Sequence, residues 1–147
     1  KGYAVYSGWT APCKEFPQNL YIAEMPKPTK IAEPYLLAFP DLQWEKSHQP
    51  ILEGPQFYLS STGIPRLFYA SNASWTQDYA TGVLTLTGTE PLNAFHWQKS
   101  PSPIYLNAGH GHPLPGTDEF IAHRKLSPLP GWTDREITLL PIPHYLK

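Results

Sequence analysis

The residues best suited to chemistry are a carboxylic acid, in the tripeptide Glu53-Gly54-Pro55, and a pair of histidines, in His110-Gly111-His112. Proline fixes its own φ and restricts the residue before it, so the chain after Glu53 is predicted to form a rigid turn. A carboxyl group held rigidly among aromatic residues can serve as a general acid, which donates a proton to a leaving oxygen. Most tripeptides of this kind are solvated corners, so the candidate depends on the sequence around it.

The two histidines are separated by one residue, and on a regular strand such a pair points to the same face. Together with His123 or Asp118 as a third ligand they could bind a metal ion. The alternative is that they are hydrogen-bonded or solvated residues of a glycine-rich loop. Nucleophilic catalysis has no comparable support, because Cys13 lies in a segment rich in proline and charge and no serine has a Gly-x-Ser-x-Gly context.

The elements that must position these residues are short apolar runs separated by turn residues. Strands are predicted at Gly2–Ser7, Asn19–Ala23, Gln56–Ser60, Arg66–Ser71, Tyr79–Thr87, Pro101–Leu106, Glu119–His123 and Arg135–Pro141. Residues 62–65 (Thr-Gly-Ile-Pro) predict a hairpin between the third and fourth of these strands. Strands at intervals of roughly 8–12 residues, without helical periodicity, predict an all-β sandwich, barrel or propeller.

A weak internal repeat favours the propeller. Trp44-Glu45-Lys46 precedes Gln49-Pro50-Ile51, and Trp97-Gln98-Lys99 precedes Ser102-Pro103-Ile104. The two copies are separated by about the length of one four-stranded blade with its loops. Coincidence between two short motifs is the alternative explanation.

The composition of the 147-residue chain bounds its class. Its length fits a single domain over residues 1–147. The 18 prolines argue against long helices, and the 14% of aromatic residues could stack on sugar rings as well as fill a core. The net charge is −1 and no apolar stretch approaches the ~20 residues of a membrane span, so we expect neither a nucleic-acid nor a membrane partner.

Three features bear on where the protein acts. Asn72-Ala73-Ser74 is an N-glycosylation sequon, which fits a secreted protein. The single cysteine, Cys13, cannot form an internal disulfide, so it is either a free buried thiol, which we favour, or a cysteine whose disulfide partner is missing from this chain. Lys1 indicates the start of a processed or truncated chain, and we expect a secreted, extracellular protein.

The order of these segments resembles glycoside hydrolase family 43, the five-bladed β-propellers that cleave arabinofuranosides and xylosides. The resemblance covers nearly the whole chain and is greatest for the α-L-arabinofuranosidase branch. The matching segments are Tyr3–Trp9, Gln18–Ala23, Trp44-Glu45, Leu52–Gln56, Phe68–Ser71, Ser74–Gly82, Pro91-Leu92, Trp97–Pro101, Gly109–His112, Trp132 and Arg135-Glu136. The resemblance implies the C-terminal half of a propeller: a single partial domain of about three blades, with the general-acid blade and the closing strand.

The resemblance also implies roles for individual residues. Glu53 matches the general acid, and we expect a partly apolar site to raise its pKa. Trp75, Asp78 and Tyr79 match a segment near the sugar-binding cleft, and with Trp9 they are assigned to substrate binding.

His112 matches the histidine near the propeller axis, which in relatives lies by an ion or a water molecule. No cofactor is required, and where an ion binds near the axis we expect Ca²⁺. After His112 the family has a longer loop before a Trp-Ile-Val-Tyr-His strand, whereas here the loop is short and Phe120–His123 lacks the tyrosine. This departure indicates a degenerate copy, a fragment or a product of proteolysis.

Two of the three carboxylates that the family uses have no match in this chain. The general base and the aspartate that tunes the acid's pKa both precede the point that corresponds to Tyr3–Trp9. Inverting hydrolysis needs a base about 6.5–9.5 Å from the acid. We therefore expect an inverting glycosidase of arabinose- or xylose-containing plant cell-wall polysaccharide with little activity alone, which pairs with its missing N-terminal half or a second copy. The alternative is a non-catalytic carbohydrate-binding remnant.

Overall fold

The computed structural model describes residues 1–9 and 17–147, and the strands within them form three sheets. The strands are β1 Gly2–Trp9, β2 Gln18–Met25, β3 Tyr35–Ala38, β4 Leu52–Leu59, β5 Pro65–Ser71, β6 Ala80–Leu86, β7 Trp97–Lys99, β8 Tyr105–Leu106, β9 Gly109–Pro113, β10 Glu119–Lys125 and β11 Arg135–Pro141. The described helices are three short 3-10 turns, Gln43–Glu45, Ala94–His96 and His144–Leu146. None of these helices is long and apolar enough to cross a membrane.

Each sheet is antiparallel throughout its named strands. The first has the order β1-β2-β3, the second β4-β5-β6-β7 with β8 also paired to β6, and the third β11-β10-β9. Apart from the β8–β6 pair, neighbours in space are neighbours in sequence, as expected of strands joined by turns and short loops. The all-β prediction is confirmed, and the three sheets correspond to the predicted three blades.

The predicted hairpin joins β4 to β5. Leu59 pairs with Pro65 at its closed end, and Gly63 has a φ of +78° that a residue with a side chain rarely adopts. The Ser60 backbone N–H donates to the Ile64 carbonyl oxygen at 3.1 Å. The glycine in this turn therefore has a conformational reason, as the sequence predicted.

The core lies between adjacent sheets, in two clusters of buried side chains. The cluster between the first and second sheets contains Leu20, Ile22, Leu37, Ala38, Leu52, Leu67, Tyr69 and Leu84. The cluster between the second and third sheets contains Phe68, Val83, Ala108, Phe120, Ala122, Ile142 and Leu146. Because successive side chains on a strand point to opposite faces, β5 sends Leu67 and Tyr69 into one cluster and Phe68 into the other. The second sheet is therefore buried on both faces.

The prediction of a turn at Glu53-Gly54-Pro55 is wrong, because β4 begins at Leu52 and continues through the tripeptide. The register with β5 shifts between Glu53 and Gln56, which marks a β-bulge. Gly54 has a φ of +56° and Pro55 has no N–H to give to the ladder, so the pairing is interrupted without reversing the chain.

Other differences concern short strands and the internal repeat. The strands β3, β7 and β9 were not predicted, and the predicted strand over 101–106 is reduced to Tyr105–Leu106. Trp44 lies in a 3-10 turn whereas Trp97 begins β7, so the two copies of the repeat occupy different structural positions. The repeat was therefore a coincidence, although the propeller class that it favoured is correct.

The sequon residue Asn72 is a structural residue, 1% exposed and with a φ of +75°. Its Oδ1 accepts from the backbone N–H groups of His48 and Gln49 at 3.0 and 3.1 Å, and its Nδ2 donates to the Trp44 carbonyl oxygen at 3.2 Å. A glycan cannot be attached to an amide nitrogen that is enclosed in this way, so the sequon gives no support to secretion. Cys13 lies outside the described residues.

Candidate active site

The candidate site lies where strand ends of the second and third sheets meet. Five polar side chains come together there: Glu53 near the start of β4, Tyr79 immediately before β6, His110 in β9, His123 in β10 and Arg135 at the start of β11. In antiparallel sheets the start of one strand lies beside the end of its neighbour, so residues distant in sequence share one edge.

The bulge in β4 brings Glu53 beside β9. A Cβ atom on Gly54 would lie 3.3 Å from the His110 ring, and the positive φ at Gly54 is one that L side chains rarely adopt. Glycine at this position therefore permits both the bulge and the close approach of His110. His110 itself has a φ of +49°, which breaks the regular alternation of β9.

One oxygen of Glu53 makes the contacts of this carboxyl group within the described residues. Tyr79 Oη donates a hydrogen bond to Glu53 Oε1 at 2.6 Å. His110 Nδ1 is 3.7 Å from the same oxygen, which is an ion-pair distance, and 3.4 Å from Tyr79 Oη. The Glu53 side chain is 23% exposed. The carboxyl group is thus fixed through Oε1 and remains accessible.

The pKa of Glu53 is lowered from its ordinary value, contrary to the prediction. Burial acts to raise the pKa of this carboxyl group, but its contacts with His110 and Tyr79 and the nearby charges of His110 and His123 outweigh that effect. The same contact with Glu53 raises the pKa of His110, although burial opposes it. The aromatic and apolar surroundings alone suggested a raised value, because the two histidines were not known to face the acid.

Tyr79, which donates the hydrogen bond to Glu53, is buried, with 2% of its surface exposed. Its ring stacks on the His123 ring with 5.3 Å between the centroids and 20° between the planes. Burial, followed by the charge of Glu53, raises the pKa of the Tyr79 hydroxyl well above 10. Tyr79 therefore stays neutral and keeps its proton for the hydrogen bond.

Arg135 is the site residue that reasoning from the sequence missed. Its charge acts on both Tyr79 and His123, and it lowers the pKa of His123 together with burial, which is the larger cause. Its Nη2 donates to the Ser74 carbonyl oxygen at 2.8 Å, while its Nε is buried without a hydrogen-bond partner in the described part of the chain. The available signal was an arginine at the first position of a predicted strand, matched by the family resemblance.

The other predicted substrate-binding residues lie around this edge rather than against Glu53. Trp75 is half-buried and packs against Trp132. The exposed Asp78 pairs through Oδ2 with His48 Nδ1 at 2.7 Å. Trp9 is exposed at the end of β1, where its partner Gln18 forms a bridge to Ile51 beside the start of β4.

His112 is exposed on β9 and pairs with Ile121 of β10. The histidine beside Glu53 is instead His110, two residues earlier. Among residues 1–9 and 17–147, no group of three or more histidine, cysteine, aspartate or glutamate side chains is arranged to hold a metal ion. The proposed ion near His112 remains a prediction.

A second buried carboxylate, Glu45, is a structural residue. It is fully buried, and its Oε1 accepts from Tyr69 Oη at 2.7 Å. Its Oε2 accepts from Lys99 Nζ at 2.7 Å and from the backbone N–H groups of Asp41 and Leu42. Both oxygens are occupied and inaccessible, so Glu45 cannot deliver a proton to a substrate.

The described aspartates are engaged elsewhere. Asp41 pairs with Lys99, Asp78 with His48 and Asp118 with Lys147. Asp134 follows Thr133, whose hydroxyl is 3.4 Å from its Oδ2. Within the part of the chain that the structure describes, no second carboxylate is in contact with Glu53.

Comparison with known proteins identifies a curated relative at the level of sequence. No protein-family model matches the chain. The chain is 33% identical over 122 residues to "Alpha-L-arabinofuranosidase 43" of Humicola insolens, which covers 80% of this chain and 25% of that protein. It therefore spans a quarter of the length of this curated relative.

Solved structures match nearly the whole chain. An α-L-arabinofuranosidase from Lactobacillus brevis matches with a TM-score of 0.80 and 25% identity over 95% of this chain and 48% of that one. A thermostable family-43 glycoside hydrolase matches with a TM-score of 0.74 and 21% identity over 93% of this chain and 49% of that one. An endo-1,4-β-xylanase from Bacteroides thetaiotaomicron matches with a TM-score of 0.76 and 19% identity over 95% of this chain and 49% of that one. Because their sequence identities are low, these last two matches show the fold alone. The chain thus belongs with glycoside hydrolase family 43, and it spans about half of the solved members that it matches.

Proposed function

We propose that this chain is the acid-bearing part of an inverting glycoside hydrolase that cleaves arabinofuranosides or xylosides of plant cell-wall polysaccharide. The observation that carries the proposal is the environment of Glu53, an accessible carboxyl group with one oxygen fixed by Tyr79 and His110. The second oxygen, Oε2, has no contact with another side chain in the described residues and is the one that could face a substrate. The similarity to two α-L-arabinofuranosidases favours arabinose over xylose.

In this mechanism protonated Glu53 donates its proton to the glycosidic oxygen while the bond from that oxygen to the anomeric carbon breaks. A water molecule attacks the anomeric carbon from the opposite face and gives up a proton to a general base, so the configuration inverts. Tyr79 orients the acid by donating to Oε1. The base comes from a part of the protein outside the described residues.

The lowered pKa of Glu53 sets a further requirement. A general acid must carry its proton when the substrate binds, yet the contacts in this chain favour the ionised form. A second carboxylate nearby would raise the pKa of Glu53, because two like charges at short distance disfavour ionisation of both. We propose that the missing N-terminal half supplies this carboxylate, and the family resemblance implies such an aspartate.

The first sheet offers a place for that missing half. In the described residues β1 pairs only with β2, so its other edge is open. Beside this edge is a groove of about 430 Å³ between the first and second sheets, with apolar residues that include Tyr3, Val5, Phe57 and Trp97. We propose that the chain is one partial domain, and that its N-terminal half or a second copy covers this surface. Size-exclusion chromatography that finds a stable, folded monomer of these residues would contradict this part of the proposal.

The function is tested by turnover of an aryl α-L-arabinofuranoside and of arabinan by the full-length protein and its Glu53→Gln variant. Because a positioned general acid contributes roughly 10²–10⁴-fold, we expect the variant to lose at least about a hundredfold in kcat on arabinan. Glu119→Gln, which changes an exposed carboxylate on β10, is the matched control and should retain activity. Unchanged turnover by Glu53→Gln would exclude the proposed acid.

A carbohydrate-binding remnant without chemistry is the second candidate. It is favoured by the lowered pKa of Glu53 and by the engagement of the described aspartates elsewhere. This reading predicts that arabino-oligosaccharides bind to both the unaltered protein and Glu53→Gln, with turnover by neither.

Two further predictions concern location and ions. We propose that the protein is secreted, which detection of the mature protein in the culture medium of its source would test. If Ca²⁺ binds near His112, millimolar Ca²⁺ should raise the Tm, and His112→Ala should remove that rise.

A further inference from the structure

An exposed tryptophan stands at the rim of the candidate site. Trp132, in the loop between β10 and β11, is 68% exposed. Its ring centroid lies 5.3 Å from that of Trp75 with 46° between the planes. The Arg135 guanidinium lies over the same ring, 4.8 Å from the centroid. A large aromatic side chain is thus supported by two neighbours while much of its surface faces solvent.

This arrangement is held in place by hydrogen bonds outside the rings. The Gly131 N–H donates to the Trp75 carbonyl oxygen at 2.9 Å, which joins the loop of Trp132 to the loop between β5 and β6. Arg135 is anchored by its hydrogen bond to the Ser74 carbonyl oxygen. Cation–π contact and aromatic packing further restrict the indole. Trp132 therefore presents a surface of fixed orientation, which lowers the entropy lost when a ligand stacks on it.

Arg135 connects this surface to the acid. Its charge acts on Tyr79 and His123, the two stacked rings beneath Glu53, while its guanidinium supports Trp132. Arg135 therefore lies between Trp132 and the stacked rings of Tyr79 and His123. A polymer that placed one sugar at Glu53 would carry its neighbouring sugars across the rim.

We propose that Trp132, supported by Arg135 and Trp75, is a binding subsite for a pyranose or furanose ring adjacent to the sugar at Glu53. The assignment rests on the proposed function for the identity of the polymer. The C–H face of a sugar ring is apolar and stacks on an aromatic surface, and the polar edges of the sugar remain hydrated. Trp132 would thus select for chain length and would contribute nothing to a substrate with a single sugar.

The test compares substrates of different length in the full-length protein and its Trp132→Ala variant. With arabinan and with xylan the variant should show a KM raised roughly two- to tenfold, the range expected for loss of one aromatic stacking contact. With methyl α-L-arabinofuranoside, which has one sugar and no ring at the neighbouring position, both kcat and KM should be unchanged. Phe95→Ala removes another exposed aromatic side chain, on the 3-10 turn Ala94–His96, and should leave kcat and KM unchanged for both kinds of substrate.

Binding measurements separate this inference from the proposed function. Calorimetry with α-1,5-linked arabino-oligosaccharides and β-1,4-linked xylo-oligosaccharides in a Glu53→Gln background needs no turnover. Loss of binding in Trp132→Ala would support the subsite even if the unaltered protein showed no hydrolysis. Binding that is equal with and without Trp132, or an equal loss on methyl α-L-arabinofuranoside, would overturn the subsite while leaving the acid assignment intact.

A conservative variant serves as the control for an effect of the substitution on folding. Trp132→Tyr keeps an aromatic face and should restore most of the affinity that Trp132→Ala loses, at the same Tm as the unaltered protein. Quenching by acrylamide gives a second check, because an indole at the rim should be protected when oligosaccharide binds. An indole already protected in the free full-length protein would mean that another part of the protein covers Trp132, and the subsite would be wrong.

Discussion

Replacing Tyr79 with phenylalanine tests the electrostatic description of the acid. The change removes only the hydroxyl that donates to Glu53 Oε1 at 2.6 Å. A hydrogen bond to a charged group contributes about 1.5–3 kcal/mol, and here it favours the ionised carboxylate, so the pKa of Glu53 should rise in the variant. The ion-pair contact with His110 remains and should keep the rise partial. The titration is measured by ¹³C NMR of the glutamate side-chain carboxyl groups.

The rise in the pKa of Glu53 should also change the pH dependence of catalysis. If Glu53 is the general acid, activity at high pH falls as Glu53 loses its proton, so a raised pKa should move that limb of the profile to higher pH. Tyr105→Phe is the matched control, because the Tyr105 hydroxyl donates to the Pro141 carbonyl oxygen at 2.9 Å and has no contact with Glu53. A titration of Glu53 that is unchanged, or shifted to lower pH, in Tyr79→Phe would refute the reasoning.

Three further changes have definite expected outcomes. Gly54→Ala should lower the free energy of unfolding by about 1 kcal/mol or more, because Ala is strained at positive φ and its Cβ would press on His110. Gly63→Ala is the control, since it has the same backbone strain but its Cβ would meet no atom within 4 Å. The difference between the two losses, measured by thermal unfolding, is the effect of the contact with His110. The His110–Glu53 pair should stabilise the fold by at most about 1 kcal/mol between pH 4.5 and pH 6.5, the ordinary pKa values of the two groups. This stabilisation is lost as Glu53 protonates below that window and as His110 deprotonates above it. His110→Ala should flatten this pH dependence in urea titrations. Asn72→Ala should destabilise by about 1–3 kcal/mol by leaving backbone N–H groups unpaired, and mass spectrometry of the unaltered protein should find no glycan on Asn72.

The strands that the sequence predicted well have clear local signals. Arg135–Pro141 was predicted to the residue, and the hairpin before Pro65 follows from a glycine and a proline between two apolar runs. The strand Gly109–Pro113 was missed because glycine and histidine have little preference for strands, and its pairing with β10 decides its structure.

The site was predictable only in part for a similar reason. Glu53, Tyr79 and His112 could be assigned from the resemblance, but nothing in the sequence indicated that His110 lies beside Glu53. The positive φ at His110 breaks the regular alternation of its strand. Arg135 reaches the site through long-range packing that no local pattern encodes. The direction of the pKa shift at Glu53 depends on the same long-range contacts, which explains why the prediction had the wrong sign.

The burial of β5 on both faces has a consequence for how the molecule opens. Both hydrophobic clusters draw on the second sheet, so the first and third sheets can each detach at the cost of one cluster while the second remains folded. Amide hydrogens of β5 should then exchange most slowly, and those of β9 and β11 should exchange through smaller openings. Glu53 and Tyr79 belong to the slow unit, whereas His110 and Arg135 belong to the third sheet. The candidate site would therefore come apart in a partial unfolding event that leaves the acid in place but removes the cations around it.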